Sequence, residues 1–199
     1  DQEMLGSSTS YHSQEAYQKW QSALNEYERL KKEQERVRQE LLLLTGFSPD
    51  SPVVLEKMPL PDVSRAALVN PKEDRQQALG NNYELRSGRM GNAGSNQELH
   101  KKQRQTELDE NQMFASLETL GDQVRSCQAE WEAACAKEQA QRAVWQSAVR
   151  KRELGTMAEG EYLEIYSQYM EEKGNQAQAS IRFLLAMEEY DWAKKGLMD

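Results

Sequence analysis

The chain holds 199 residues with a formal net charge of −8 and only 38% hydrophobic residues, and its mean hydropathy is −0.91. This is too polar for a thick globular core and suits long helices that each bury one narrow stripe. The acidic balance argues against nucleic acid as the main partner. No run approaches the ~18 apolar residues of a transmembrane helix, and the acidic start Asp1-Gln2-Glu3 does not read as a signal peptide.

A first helix is expected from about Ser13 to Leu44, with the stripe Tyr17, Trp20, Leu24, Tyr27, Leu30, Val37, Leu41 and Leu44, ended by Gly46. All five prolines lie between Pro49 and Pro71, so residues 47–70 read as a connector. Within it, Val53-Val54-Leu55 is consistent with a short strand or an extended packed segment. Asn70 as N-cap, Pro71 at the first helical position and Glu73 completing a capping box open a second helix over 71–90. Its apolar positions are Ala78, Leu79, Leu85 and Met90.

Gly91-Asn92-Ala93-Gly94-Ser95 reads as a turn, and Ser95 with Glu98 as a second capping box. A very long third helix follows over 96–152, with a polar beginning that reads as a solvated surface. From Met113 it carries an alternating three-and-four stripe through Leu117, Leu120, Val124, Cys127 and Trp131, continued by Ala134, Trp145 and Ala148. That spacing is a coiled-coil seam. Arg150-Lys151-Arg152 complements the helix dipole at its C-terminus. Gly155 supplies a left-handed cap in a tip over 153–158, and Thr156 with Glu159 caps a fourth helix over 158–195. The expected stripe of that helix is Leu163, Tyr166, Met170, Ala177, Ser180, Leu184 and Met187.

The fold class that follows is all-α: long antiparallel coiled-coil hairpins with a small Pro-rich connector. The third helix matches the second and fourth in combined length, so it can pair with the second at its start and the fourth at its end. The first helix then lies beside the lower half. The N-terminus also echoes the tip, since Leu5-Gly6-Ser7 matches Leu154-Gly155-Thr156, with Glu15, Tyr17 and Trp20 at the offsets of Glu164, Tyr166 and Tyr169. Residues 1–46 would be a tip and returning helix of a first repeat, 47–70 a connector, and 71–199 a second repeat.

Catalytic chemistry is not legible. His12 and His100 are isolated, which makes a zinc site improbable, and neither a phosphate-binding glycine loop nor a nucleophile elbow is present. Cys127 and Cys135 would lie ~12 Å apart on one helix, too far for a mutual disulfide, and read as small core residues. The many glutamates suit the solvated face of a coiled coil. Trp20, Trp131 and Trp145 lie on apolar stripes and are expected in the core. The reading is therefore a non-enzymatic protein with no cofactor and no metal.

Three segments resemble one family. Lys151-Arg152-Glu153-Leu154-Gly155-Thr156, followed by Tyr162-Leu163, is similar to the tip motif of TolC-type outer-membrane efflux proteins. Phe183-Leu184-Leu185-Ala186-Met187-Glu188-Glu189-Tyr190-Asp191-Trp192-Ala193 resembles that family's returning helix. Gln77-Ala78-Leu79-Gly80-Asn81-Asn82-Tyr83-Glu84-Leu85-Arg86 resembles its ascending helix, and Leu44-Thr45-Gly46 with the connector suits its equatorial region. The resemblance implies a TolC-like α-barrel repeat, a trimer, an extracytoplasmic place in the cell envelope, and tips that contact the α-hairpin of a membrane-fusion adaptor protein. The tip residues would be Leu154, Gly155, Thr156 and Met157, with Leu5, Gly6 and Ser7 as first-copy equivalents. The sequence departs from the family between Arg86 and Leu99, where two membrane-crossing strands are expected and no strand signal exists. A short linker in their place or a barrel-less relative are the two readings of that gap. A generic coiled-coil scaffold or tether is the alternative function.

Overall fold

Six helices and no strand make up the described residues of the computed structural model, which are 10–56, 58–90 and 94–197. They are α1 (Ser10–Leu44), α2 (Val63–Ala66), α3 (Pro71–Asn81), α4 (Tyr83–Met90), α5 (Asn96–Glu153) and α6 (Glu159–Lys194). The fold is all-α. The chain divides into two compact units, residues 1–58 and 59–199.

In the first unit α1 runs 35 residues and ends where Gly46 turns left-handed, with the Phe47 N–H donating to the Leu42 carbonyl at 2.8 Å. The chain after the turn folds back on one side of the helix. Arg38 Nη2 donates to the carbonyls of Ser51 at 2.9 Å and Val53 at 3.0 Å, and Leu42 is buried. The expected apolar stripe is not covered: Tyr17, Trp20, Leu24, Tyr27, Leu30, Val37, Leu41 and Leu44 are all exposed. Trp20 is therefore not a core residue. Periodicity sets which side chains share a face, but it does not supply the surface that buries them. Val53-Val54-Leu55 forms no strand, and Val54 and Leu55 are exposed.

The second unit is organised by α5, whose 58 residues span ~87 Å. Helices α3, α4 and α6 hold 11, 8 and 36 residues, so end to end they nearly match it. They lie antiparallel to α5, as Arg89 pairing with Glu110, Arg75 over the Phe114 ring and Trp145 on Tyr169 show. The connector contributes one helix that the sequence reading missed. This is α2, a single turn capped by Asp62, whose carboxylate accepts from the Ser64 N–H at 2.9 Å.

The expected helix over 71–90 is two helices. Asn82 has extended ψ (115°), and its Oδ1 accepts from the Leu85 N–H at 2.9 Å, so it ends α3 and starts α4. The anticipated capping box at Asn70 and Glu73 does not form: Asn70 makes no side-chain cap bond, and Pro71 alone marks the start. At α5 the box forms with a shift. Ser95 Oγ accepts from the Glu98 N–H at 3.2 Å, but Glu98 reaches back to the Gly94 N–H at 2.8 Å. The predicted turn residues Gly91, Asn92 and Ala93 lie outside the described residues.

The core sits where α2 and α3 cover the α5–α6 pair. Ala78, Leu79, Leu117, Val124, Phe183 and Tyr190 are buried there. Polar clamps rim it: Arg65 Nη2 pairs with Glu188 at 2.8 Å and also with Asp191, and Asp74 accepts from Tyr190 Oη at 2.7 Å and Lys194 Nζ at 2.9 Å. Trp131 packs at the edge of this zone against Phe183, and beyond it, at Trp145, α5 and α6 cover only each other; both tryptophans are half-buried. Two helices bury one stripe each and no more.

On α5 the predicted stripe faces α6 and α3 throughout: Met113, Leu117, Val124 and Ala148 are buried, and Leu120, Cys127, Trp131, Ala134 and Trp145 half-buried. On α6 the prediction holds only in the lower half. Ser180, Leu184 and Met187 turn inward, whereas Leu163, Tyr166, Met170 and Ala177 are exposed. The inward set in the upper half is Tyr162, Ile165, Tyr169, Glu172 and Gln176, one position earlier. It contains polar residues, so a search for apolar letters selects its neighbour instead.

Candidate docking tip

Two backbone hydrogen bonds close the turn between α5 and α6. Gly155 has φ +67°, the Gly155 N–H donates to the Arg152 carbonyl at 3.0 Å, and the Thr156 N–H donates to the Lys151 carbonyl at 2.9 Å. These two bonds are a Schellman motif, which satisfies the last carbonyls of α5 and needs a residue that tolerates the left-handed region. A Cβ on Gly155 would meet nothing within 4 Å. Glycine is required here by backbone conformation, and the space around it is open.

Thr156 does not cap α6. Its hydroxyl donates to the Lys151 carbonyl at 3.0 Å and strengthens the end of α5, while the N-cap of α6 is Ala158, with no side-chain cap bond. Leu154 is 77% exposed at the apex, Thr156 is exposed, and Met157 is half-buried. The structure thus brings Leu154, Gly155 and Thr156 together on one outward surface. Leu5, Gly6 and Ser7 lie outside the described residues.

Just below the apex a clamp joins the two helices. Arg152 Nη2 pairs with Glu159 at 2.9 Å, and its guanidinium lies over the Tyr162 ring at 4.3 Å. Next, Trp145 stacks on Tyr169 with centroids 4.8 Å apart and planes 3° from parallel, and Tyr166 flanks the same indole at 6.1 Å. Aromatic layers of this kind contribute beyond their buried area. The sequence reading gave Arg152 only a dipole role. Its seven-residue spacing to Glu159 across a turn, with Tyr162 one helical step further, was the available signal.

Other candidates are placed as follows. Cys127 and Cys135 are free and half-buried, and burial pushes the Cys127 thiol above its ordinary range. Cys135 Sγ accepts from Gln176 Nε2 at 3.7 Å. His100 is exposed, and the His12 side chain lies outside the described set. Among the described residues no group of three or more His, Cys, Asp or Glu is placed to hold a metal ion, and no helix is long and apolar enough to cross a membrane. Comparison with protein-family models, curated proteins and solved structures finds no match to this chain.

Proposed function

We propose that this chain is a TolC-like docking element of an efflux or secretion assembly in the cell envelope, whose helical tip contacts the α-hairpin of a membrane-fusion adaptor protein. The observation that carries the reading is the apex. Leu154 is 77% exposed at the end of a turn closed by its own backbone and braced by Arg152, Glu159 and Tyr162. An exposed leucine on a rigid support loses little conformational freedom when it is buried against a partner. Gly155 beside it presents open backbone that a second helix tip can approach closely. The long antiparallel pairing of α5 and α6 supports the same reading, since it holds the apex far from the core of the second unit.

Binding of the adaptor's purified α-hairpin to the full chain tests this. Leu154→Asp and Gly155→Trp should each weaken it at least about tenfold, with unchanged helicity by circular dichroism. Undiminished binding by both variants sinks the tip reading. A second reading, a coiled-coil scaffold or tether, is favoured by the exposed stripe of α1. A scaffold keeps all of its associations when the tip is changed.

A further inference from the structure

The exposed stripe of α1 has a heptad order that specifies what covers it. Positions a are Trp20, Tyr27, Gln34 and Leu41. Positions d are Ala23, Leu30, Val37 and Leu44. The spacing alternates three and four without a break for more than three heptads, and every one of these residues is exposed. A 35-residue helix with such a seam and no cover is an unfinished interface.

The flanking charges select the occupant. The g positions carry Lys19, Glu26, Glu33 and Glu40, and the e positions carry Leu24, Lys31 and Arg38. In a parallel pair a g residue meets the e residue five positions further along the other helix. Glu26 then meets Lys31 of the second copy; Glu33 faces Arg38, whose guanidinium is already held by the Ser51 and Val53 carbonyls and lies beside Glu35, so Glu26 with Lys31 is the pair that selects the direction. In an antiparallel pair g meets g and e meets e, which sets Glu26 against Glu33 and Lys31 against a base, with Lys19 and Glu40 as the one attractive g contact. Two further observations agree. Lys31 is exposed and makes no ion pair among the described residues. The chain after Gly46 folds back over Arg38 and Leu42, beside the seam, and leaves the a and d positions open.

We propose that α1 is a self-association helix: it pairs with α1 of a second copy of this chain, parallel and in register, through the seam from Trp20 to Leu44. The present local pairs of Glu26 with Arg29 and Glu33 with Arg36 lie at the solvent surface and give way at little cost. The polar Gln34 at one a layer marks the register, because a shifted pairing would bury it against an apolar side chain. This inference concerns α1 and stands independently of the tip reading.

Sedimentation equilibrium of the full chain should give twice the 22.9 kDa monomer mass at micromolar concentration. Leu30→Glu with Val37→Glu should return it to monomer without changing the melting of the second unit. Glu26→Lys alone, and Lys31→Glu alone, should each weaken association about tenfold by placing like charges together at two symmetric sites. The double variant Glu26→Lys/Lys31→Glu should restore it, which only a parallel pair predicts. A monomeric wild-type chain, an assembly unaffected by the Leu30/Val37 variant, or a double variant as weak as the singles overturns the proposal. Tip variants leave this measurement unchanged, so the two readings fail separately.

Discussion

Pro71 occupies the place where a side chain on Gly121 would begin. A Cβ built on Gly121 lies 2.6 Å from Pro71 Cγ and 3.4 Å from Pro71 Cδ, with Tyr190 Cε2 at 3.6 Å. The first turn of α3 is thus seated directly on the α5 backbone, in the layer that also holds Val124 and Tyr190. Neither residue signals this alone. The proline marks a helix start and the glycine weakens a helix interior, and only their approach explains both.

Gly121→Ala gains about 1 kcal/mol of helix propensity but meets about 1–3 kcal/mol of overpacking against a rigid ring. The net expectation is a small loss of stability. Gly121→Val has little compensating propensity and should cost clearly more. Urea denaturation of both checks the order, and Pro71→Ala in the same chain should relieve part of each loss, since the two sites share one contact.

Gly155 and Gly196 test backbone strain against space. Both have positive φ, +67° and +84°. Gly155 stands in the open, so Gly155→Ala should cost only the left-handed penalty of about 1–2 kcal/mol. A Cβ on Gly196 would come within 2.5 Å of the Asn81 backbone carbon at the α3–α4 break, so Gly196→Ala should cost more than its counterpart at the tip. Equal losses in thermal unfolding would show that the α6 end is not docked on Asn81.

Tyr169 and Met170 decide the rotation of α6. Tyr169 is 5% exposed and stacked on Trp145, whereas Met170 is 43% exposed. Tyr169→Ala should cost about 3 kcal/mol, and Met170→Ala within about 0.5 kcal/mol of nothing. The reverse order in chemical denaturation would restore the stripe expected from the sequence.

Tyr190 gives the protein an alkaline limit. Burial first, and then the hydrogen bond to the Asp74 carboxylate, raises the phenol above its ordinary value. The folded state therefore keeps this proton to higher pH than the unfolded chain. Its contribution is complete below the unfolded value of about 10 and is lost as pH rises beyond it, by up to about 1.4 kcal/mol per pH unit. Tyr190→Phe should cost about 1 kcal/mol at pH 7 through the lost hydrogen bond. Between pH 10 and 11 its stability should fall less steeply than that of the wild type. Parallel pH slopes for the two proteins would refute the assignment.

Much of the helical plan was legible in residue types. Positions that alternate by three and four, with Gly46 and Gly155 at the stops, define α1, α5 and α6 within a few residues. The α5 stripe was legible because its inward positions are also its most apolar ones. On α6 two adjacent stripes compete, and the inward one includes Glu172 and Gln176, so composition alone selects the wrong neighbour above Ser180. The tip was legible as a turn at Gly155, but the role of Thr156 was not. A hydroxyl beside a turn can cap either helix, and only the backbone path brings it to the Lys151 carbonyl.

The sequence by itself determined the long helices α1, α5 and α6 and the turns at Gly46 and Gly155, because helix periodicity and left-handed glycines are local properties. The tertiary structure alone decided which faces are covered. It broke the helix at Asn82, seated Pro71 on Gly121, rotated upper α6 by one residue and left the stripe of α1 open. Burial depends on what another segment brings to a surface, and that is a property of no segment alone.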